Sequence, residues 1–384
     1  MYEFSEEKIK LLIDANEKLN ICDDLNVEKN KNLIFVYCPP KVGSTTLITS
    51  FRLCALRKFT ILHIHDESML KVLCGIEGVT VNEIIFYNKA LGKNVYVIDI
   101  YRSPIEQKMS AFFEKIGSFH FNNTNENVNT YDVNKLIKRF NKIFPYLSRF
   151  DYYREIYNIP VPEVFDFEKK YLNIEYNGIY YIKIRLKDSK IWSSIFQEIF
   201  GINILIVNDY ETDKKIIKDM YFQFKNSYRI PCNLLSIIQN CDTLKYYYSP
   251  DERNQYLNSW YPKQEQPFIS YSESEYNLYI ELCIENQHIG EIQRQHYIDV
   301  GCTCVGCSRK RNQILYKISN GHEVADTIDH TQSNNEYKNM IIQKKKERLN
   351  QIIQQVAIVN SINNNRNIKK PKSIIKKSFN MVVK

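Results

Sequence analysis

No stretch of this 384-residue chain approaches the roughly 20 consecutive apolar residues that a membrane-spanning helix needs. The first twenty residues are charged and amphipathic, without a continuous apolar core, so a signal peptide is not expected. A soluble, cytoplasmic protein is the expectation. The ten cysteines include a single CxxC, Cys304 to Cys307, with no second one to pair with it, and most stand alone in apolar surroundings, as Cys54, Cys74 and Cys232 do. That usage suits buried thiols in a reducing compartment, not a disulfide framework. Most of the chain also lacks a net charge of either sign. The formal +8 collects in residues 341–384, where eleven Lys and Arg meet one Glu, a surplus of ten that leaves the other 340 residues at −2. A basic enzyme body built to hold a polyanion is thereby excluded, and any polyanion contact belongs to the tail.

Enough apolar surface is present for an enzyme. Hydrophobic residues make up 44% and aromatic residues 13% of the chain, too much for a disordered protein, and the length suits one large domain with an appendage. Residues 33–37, Leu-Ile-Phe-Val-Tyr, read as a buried strand. Pro39 and Pro40 stop it, Gly43 permits a tight bend, and Ser44, Thr45 and Thr46 open an amphipathic helix through Arg57. Exposed N–H groups at a helix start, with hydroxyls and Lys41 nearby, supply what a phosphate needs. An ordinary nucleoside triphosphate loop would require Gly at position 38 and Lys at 44, where this chain has Cys38 and Ser44.

A second strand, residues 95–100, runs into Arg102-Ser103-Pro104, and Ser110-Ala111-Phe112 follows. Eight residues are a little over two helical turns, so a helix here returns Ser110 near the face on which it began, and one phosphate can meet Arg102 and Ser110 together. Both stretches resemble the phosphate motifs of the PAPS-dependent sulfotransferase superfamily. Pro40-Lys41-Val42-Gly43-Ser44-Thr45 is similar to its 5′-phosphosulfate loop, and Arg102-x-Pro104-x5-Ser110-x-Phe112 to its 3′-phosphate motif. The segments 246–260 and, less specifically, 165–171 also resemble the capsular-polysaccharide synthesis proteins, a sulfotransferase-like family. The likeness covers residues 32–261. Thr46 departs from the cytosolic small-phenol and steroid branch, where an aromatic residue follows the two hydroxyl residues.

The resemblance implies transfer of the sulfuryl group of 3′-phosphoadenosine 5′-phosphosulfate (PAPS) to a hydroxyl or amine, with a glycan or polysaccharide as acceptor. It implies Lys41 as electrostatic catalyst, Gly43, Ser44, Thr45 and Thr46 around the 5′-phosphate, and Arg102 and Ser110 on the 3′-phosphate. A P-loop-type nucleotide-dependent kinase and a noncatalytic PAPS-binding module are the alternatives. For an acceptor base, strand 59–64 ends in Leu62-His63-Ile64-His65-Asp66-Glu67. Alternation puts His63 and His65 on one side, imidazole titrates near neutrality, and a nearby carboxylate is expected to orient it. His65, nearer the open end, is the first candidate, His63 the second and Glu106 the carboxylate alternative.

Strands alternating with helices after residue 33 predict an α/β fold: a P-loop-like parallel sheet flanked by helices, with ligands beyond the carboxyl ends of the strands. A C-terminal helical, cysteine-containing extension follows. The expected divisions are an N-terminal helix in 1–31, a sulfotransferase-like domain in 32–270, a cysteine-containing extension packed on it in 271–330, and a helix with a basic flexible tail in 331–384. In the middle, the Asn-rich residues 119–131 read as a loop, 133–150 as a helix and 179–186 as a strand. Trp192, Ile195, Phe196 and Ile199 form a core stripe. Ser249 and Glu252 stand at capping-box spacing with Pro250 between them. Cys302, Cys304 and Cys307 offer three thiolates within six residues, and His296 or Cys283 would complete a structural zinc (Zn) site; a basic loop beside reduced thiols is the other reading.

Overall fold

Side chains two apart on a strand share a face, and four apolar strands of this chain bury both faces. The structure, a computed structural model, describes residues 4–114, 116–121, 123–148, 159–207 and 216–290. The chain divides into two units, 1–328 and 329–384, and all of the described residues belong to the first. Strands β1 (Asn32–Tyr37), β2 (Thr60–Ile64), β3 (Asn94–Tyr101), β4 (Tyr171–Tyr176) and β5 (Ile179–Arg185) form one sheet in the order β2-β1-β3-β5-β4. β2, β1, β3 and β5 run parallel, as expected of an α/β fold. β4 departs from a purely parallel sheet by pairing antiparallel with β5. The cause is local: Asn177 and Gly178 both take positive φ, 52° and 72°, which a two-residue type I′ hairpin requires.

On one face Leu33, Phe35, Val95, Val97, Ile179 and Tyr181 pack with helices α1 (Glu6–Lys18), α3 (Glu67–Cys74) and α4 (Val81–Ala90). On the other, Ile34, Val36, Ile98, Ile100, Ile182 and Ile184 meet α2 (Ser44–Cys54) and α7 (Trp192–Phe200). The stripe on α7 behaves as expected, with Trp192, Ile195 and Phe196 buried and Ile199 packed at the margin. A third core is largely aromatic and joins α5 (Pro104–Glu114) and α6 (Val133–Ile143) to α8 (Lys218–Ser227), α9 (Cys232–Gln239), α10 (Asp242–Tyr247), α11 (Pro250–Asn258) and α12 (Glu273–Gly290). Phe224 is its hub, with ring centroids 5.1 Å from Phe113 and 5.3 Å from Phe140.

Two expectations need correction. Residues 119–131 are not an open loop: Ile116–Phe121 forms a π-helical turn and Asn125–Val128 a capped helical turn. The asparagines themselves compact the segment, since Asn125 Oδ1 accepts from the Gly117 N–H and Asn123 Oδ1 accepts from Thr124 and Asn127. The helix expected over 133–150 ends at Ile143 and tightens into a 3₁₀ turn over Phe144–Tyr146, because Pro145 lacks the N–H that would continue it. Beneath α5, the fully buried Lys108 donates to the Leu147 carbonyl at 2.5 Å, and burial pulls its pKa down to about 7.

Candidate active site

At the carboxyl end of β1 the chain turns through Cys38, Pro39 and Pro40 into α2. Lys41 and Gly43 both take left-handed backbone, φ 67° and 93°. Gly43 caps α2, and a Cβ there would lie 2.6 Å from Leu186 Cδ1, so the close approach of the β5 end also favours glycine. The first turn of α2 contains Ser44, Thr45 and Thr46 and no acidic residue. Ser44 is buried and hydrogen-bonds the Cys38 thiol, whose pKa burial raises, whereas Thr45 and Thr46 remain partly exposed.

The β3 end lies directly beside this loop. Arg102 Nη1 donates to the Lys41 carbonyl at 2.8 Å, and Gln107 Nε2 donates to the Pro40 carbonyl at 3.1 Å. Lys41 Nζ reaches Glu114 Oε2 at 2.7 Å. Gln107, Ser110 and Glu114 are spaced i, i+3, i+7 and therefore share one face of α5. Because its first and last members touch residues 40 and 41, the buried Ser110 lies on the face turned to the loop. The structure thus brings Lys41, Gly43, Arg102 and the α5 face carrying Ser110 together. Among the described residues no hydrogen bond joins Arg102 directly to Ser110. Gln107 and Glu114 were missed by sequence reasoning, although their spacing around Ser110 was a readable signal.

His65 follows β2, the neighbour of β1 on the other side. Its Nδ1 meets the Cys38 carbonyl at 2.7 Å; a carbonyl only accepts, so Nδ1 is the donor and Nε2 holds the lone pair. Burial lowers the His65 pKa, outweighing the raising effects of the Cys38 hydrogen bond and the Asp66 charge, while Lys41 adds a further lowering. The orienting group is therefore a backbone carbonyl, not the expected carboxylate. Asp66 instead caps α3 by accepting from the Met69 N–H, and Glu67 accepts from the Val81 N–H. His63 and His65 share a side as alternation requires, with ring centroids 4.6 Å apart. Glu106 accepts from Tyr256 at 2.9 Å, and the Tyr256 hydroxyl accepts from the Ile105 N–H, so this carboxylate braces the first turn of α5.

No family model, no curated protein and no solved structure matches this chain.

A second polar cluster escaped the sequence reading. On one sheet face Lys183 lies 3.5 Å from Asp99 and donates to the Tyr247 hydroxyl at 3.0 Å, all three side chains being buried. Arg185, fully buried, pairs with Asp188 and with Glu252 at 2.7 Å and donates to the Tyr247 carbonyl at 2.8 Å. Glu252 also accepts from Lys187 and forms the capping box with Ser249 that the sequence predicted. Burial opposes its charge, but these donors and cations win and lower its pKa. The available signal was charge inside otherwise apolar strands: Asp99 in Val-Ile-Asp-Ile and Lys183 and Arg185 in Ile-Lys-Ile-Arg. Cys302, Cys304, Cys307 and His296 lie outside the described residues. Cys283 is buried on α12, hydrogen-bonded to Tyr279, with its thiol pKa raised by burial. Among the described residues, no helix is long and apolar enough to cross a membrane, and no group of three His, Cys, Asp or Glu is placed to hold a metal.

Proposed function

We propose that this chain is a sulfotransferase, using PAPS as donor on a P-loop-like variant of its parallel sheet and a hydroxyl or amine, in a glycan or polysaccharide, as acceptor. The observation that carries the reading is the 2.8 Å bond from Arg102 to the Lys41 carbonyl. It sets two motifs, each suited to one phosphate, side by side at the carboxyl ends of adjacent parallel strands, where α/β sheets bind ligands. Gly43, Ser44, Thr45 and Thr46 hold the 5′-phosphate; Arg102 and Ser110 hold the 3′-phosphate. The acceptor oxygen attacks sulfur, and the bond from sulfur to the bridging oxygen breaks with its electron pair passing to the 5′-phosphate. Lys41 offsets that charge, and Nε2 of His65 takes the acceptor's proton.

Titration calorimetry tests the donor assignment. Adenosine 3′,5′-bisphosphate is expected to bind about tenfold or more tightly than 5′-AMP, and Arg102→Ala to remove most of that preference, since a charge-assisted contact is worth about 1.5–3 kcal/mol. Equal affinity of the intact protein for the two nucleotides rejects the reading, and a preference for ATP favours the kinase alternative.

A further inference from the structure

Lys41 is held at both ends. Its carbonyl is gripped by Arg102, and its ammonium meets the Glu114 carboxylate at 2.7 Å. The preceding carbonyl, of Pro40, is held by Gln107. With the backbone fixed from the start of α5, the long side chain ends at Glu114 in the last turn of the same helix. We infer that Glu114 is an internal rival of the nucleotide: its carboxylate and the 5′-phosphate compete for the same ammonium, so Glu114 sets how long the nucleotide stays. The inference rests on the donor reading above and adds a residue that the sulfotransferase resemblance does not assign.

The physical case is one of charge. A ligand phosphate brought to Lys41 must share or displace a carboxylate already in hydrogen-bond contact, and two anions around one ammonium repel each other. The side chains of Lys41 and Glu114 are only 15% and 27% exposed, so water screens that repulsion incompletely. The competition acts on the donor and, because adenosine 3′,5′-bisphosphate keeps the 5′-phosphate, equally on the spent nucleotide. Glu114 therefore weakens both and hastens release.

Glu114→Gln tests this, because it keeps the shape and one acceptor while removing the charge, at a partly exposed helix end. Adenosine 3′,5′-bisphosphate should bind Glu114→Gln about fivefold or more tightly than wild type, with most of the change in the dissociation rate. In a Lys41→Ala background the same substitution should change affinity by less than about twofold, a coupling that a merely structural role would not produce. Equal affinity of wild type and Glu114→Gln, in a wild type that prefers the bisphosphate over 5′-AMP, overturns the inference and leaves the donor reading standing. If wild type binds both nucleotides equally but Glu114→Gln tightens both, the donor reading fails and the rivalry at Lys41 stands. If neither form binds either nucleotide, both fail.

Discussion

His65 shows how one main-chain contact decides what a side chain can do. The Cys38 carbonyl holds the ring proton on Nδ1, and burial, outweighing the Asp66 charge, keeps the pKa below its ordinary 6.5, so at neutral pH Nε2 is a base oriented by a carbonyl and not by a carboxylate. The neutral ring is present above the lowered pKa and is lost as pH falls through it. Turnover should therefore fall in acid with a midpoint below 6.5, and His65→Ala should lower kcat by roughly 10²-fold or more. An acid limb centred at or above 6.5, or near-normal turnover of the variant, moves the role to His63 or Glu106. The residue type and its place at a strand end were legible in the sequence. Its tautomer was not, because the partner is a carbonyl 27 residues away, and every residue has a carbonyl. Glu114 stood in view eight residues from Glu106, yet only the packing of α5 on the loop shows which of the two meets Lys41.

Elements were legible where local chemistry and tertiary position agree. Helix α4 occupies Val81–Ala90, and a Thr80–Glu83 capping box fixes its start. α11 begins at Pro250 for the same reason. β4 was overlooked because it is half exposed and short of continuous apolar residues, although Asn177-Gly178 announces its hairpin. α2 differs from α4 and α11 in being capped by a residue with no side chain, which leaves the first turn to whatever meets it from outside. Gly43→Ala should therefore act twice. It places a Cβ on left-handed backbone and against Leu186, and should cost about 1–3 kcal/mol in denaturant unfolding. It should also weaken nucleotide binding, through a shifted loop. Unchanged unfolding and unchanged affinity would show that the loop tolerates a side chain there.

At the scale of the whole molecule, three cores meet around one sheet, and the third contains a charge that the fold does not favour. An unfolded chain keeps the Lys108 proton up to its ordinary 10.5, whereas the buried amine gives it up near 7. Between those values the unfolded state binds more protons, so stability rises with pH across the window, and below about 7 the full cost of a buried charge is present. Lys108→Met should raise the melting temperature most near pH 6 and progressively less toward pH 10, as followed by thermal unfolding at several pH values. A gain independent of pH would locate the cost in packing. The continuous apolar runs that bury both sheet faces were readable from the sequence; the buried charges were readable only as exceptions to them. One of those exceptions bears on how the chain avoids error. Asp99 and Lys183 sit opposite each other in the β3–β5 register, 84 residues apart in sequence. Slipping β5 by a single residue would turn Lys183 and Arg185 toward the face lined by Ile98, Ile100 and Trp192, and would leave Asp99 without its cation. Each stranded charge costs several kcal/mol, so a misaligned sheet is disfavoured by that amount. The pair therefore proofreads the most distant parallel pairing in the sheet, and only a correctly read sheet brings Leu186 over Gly43.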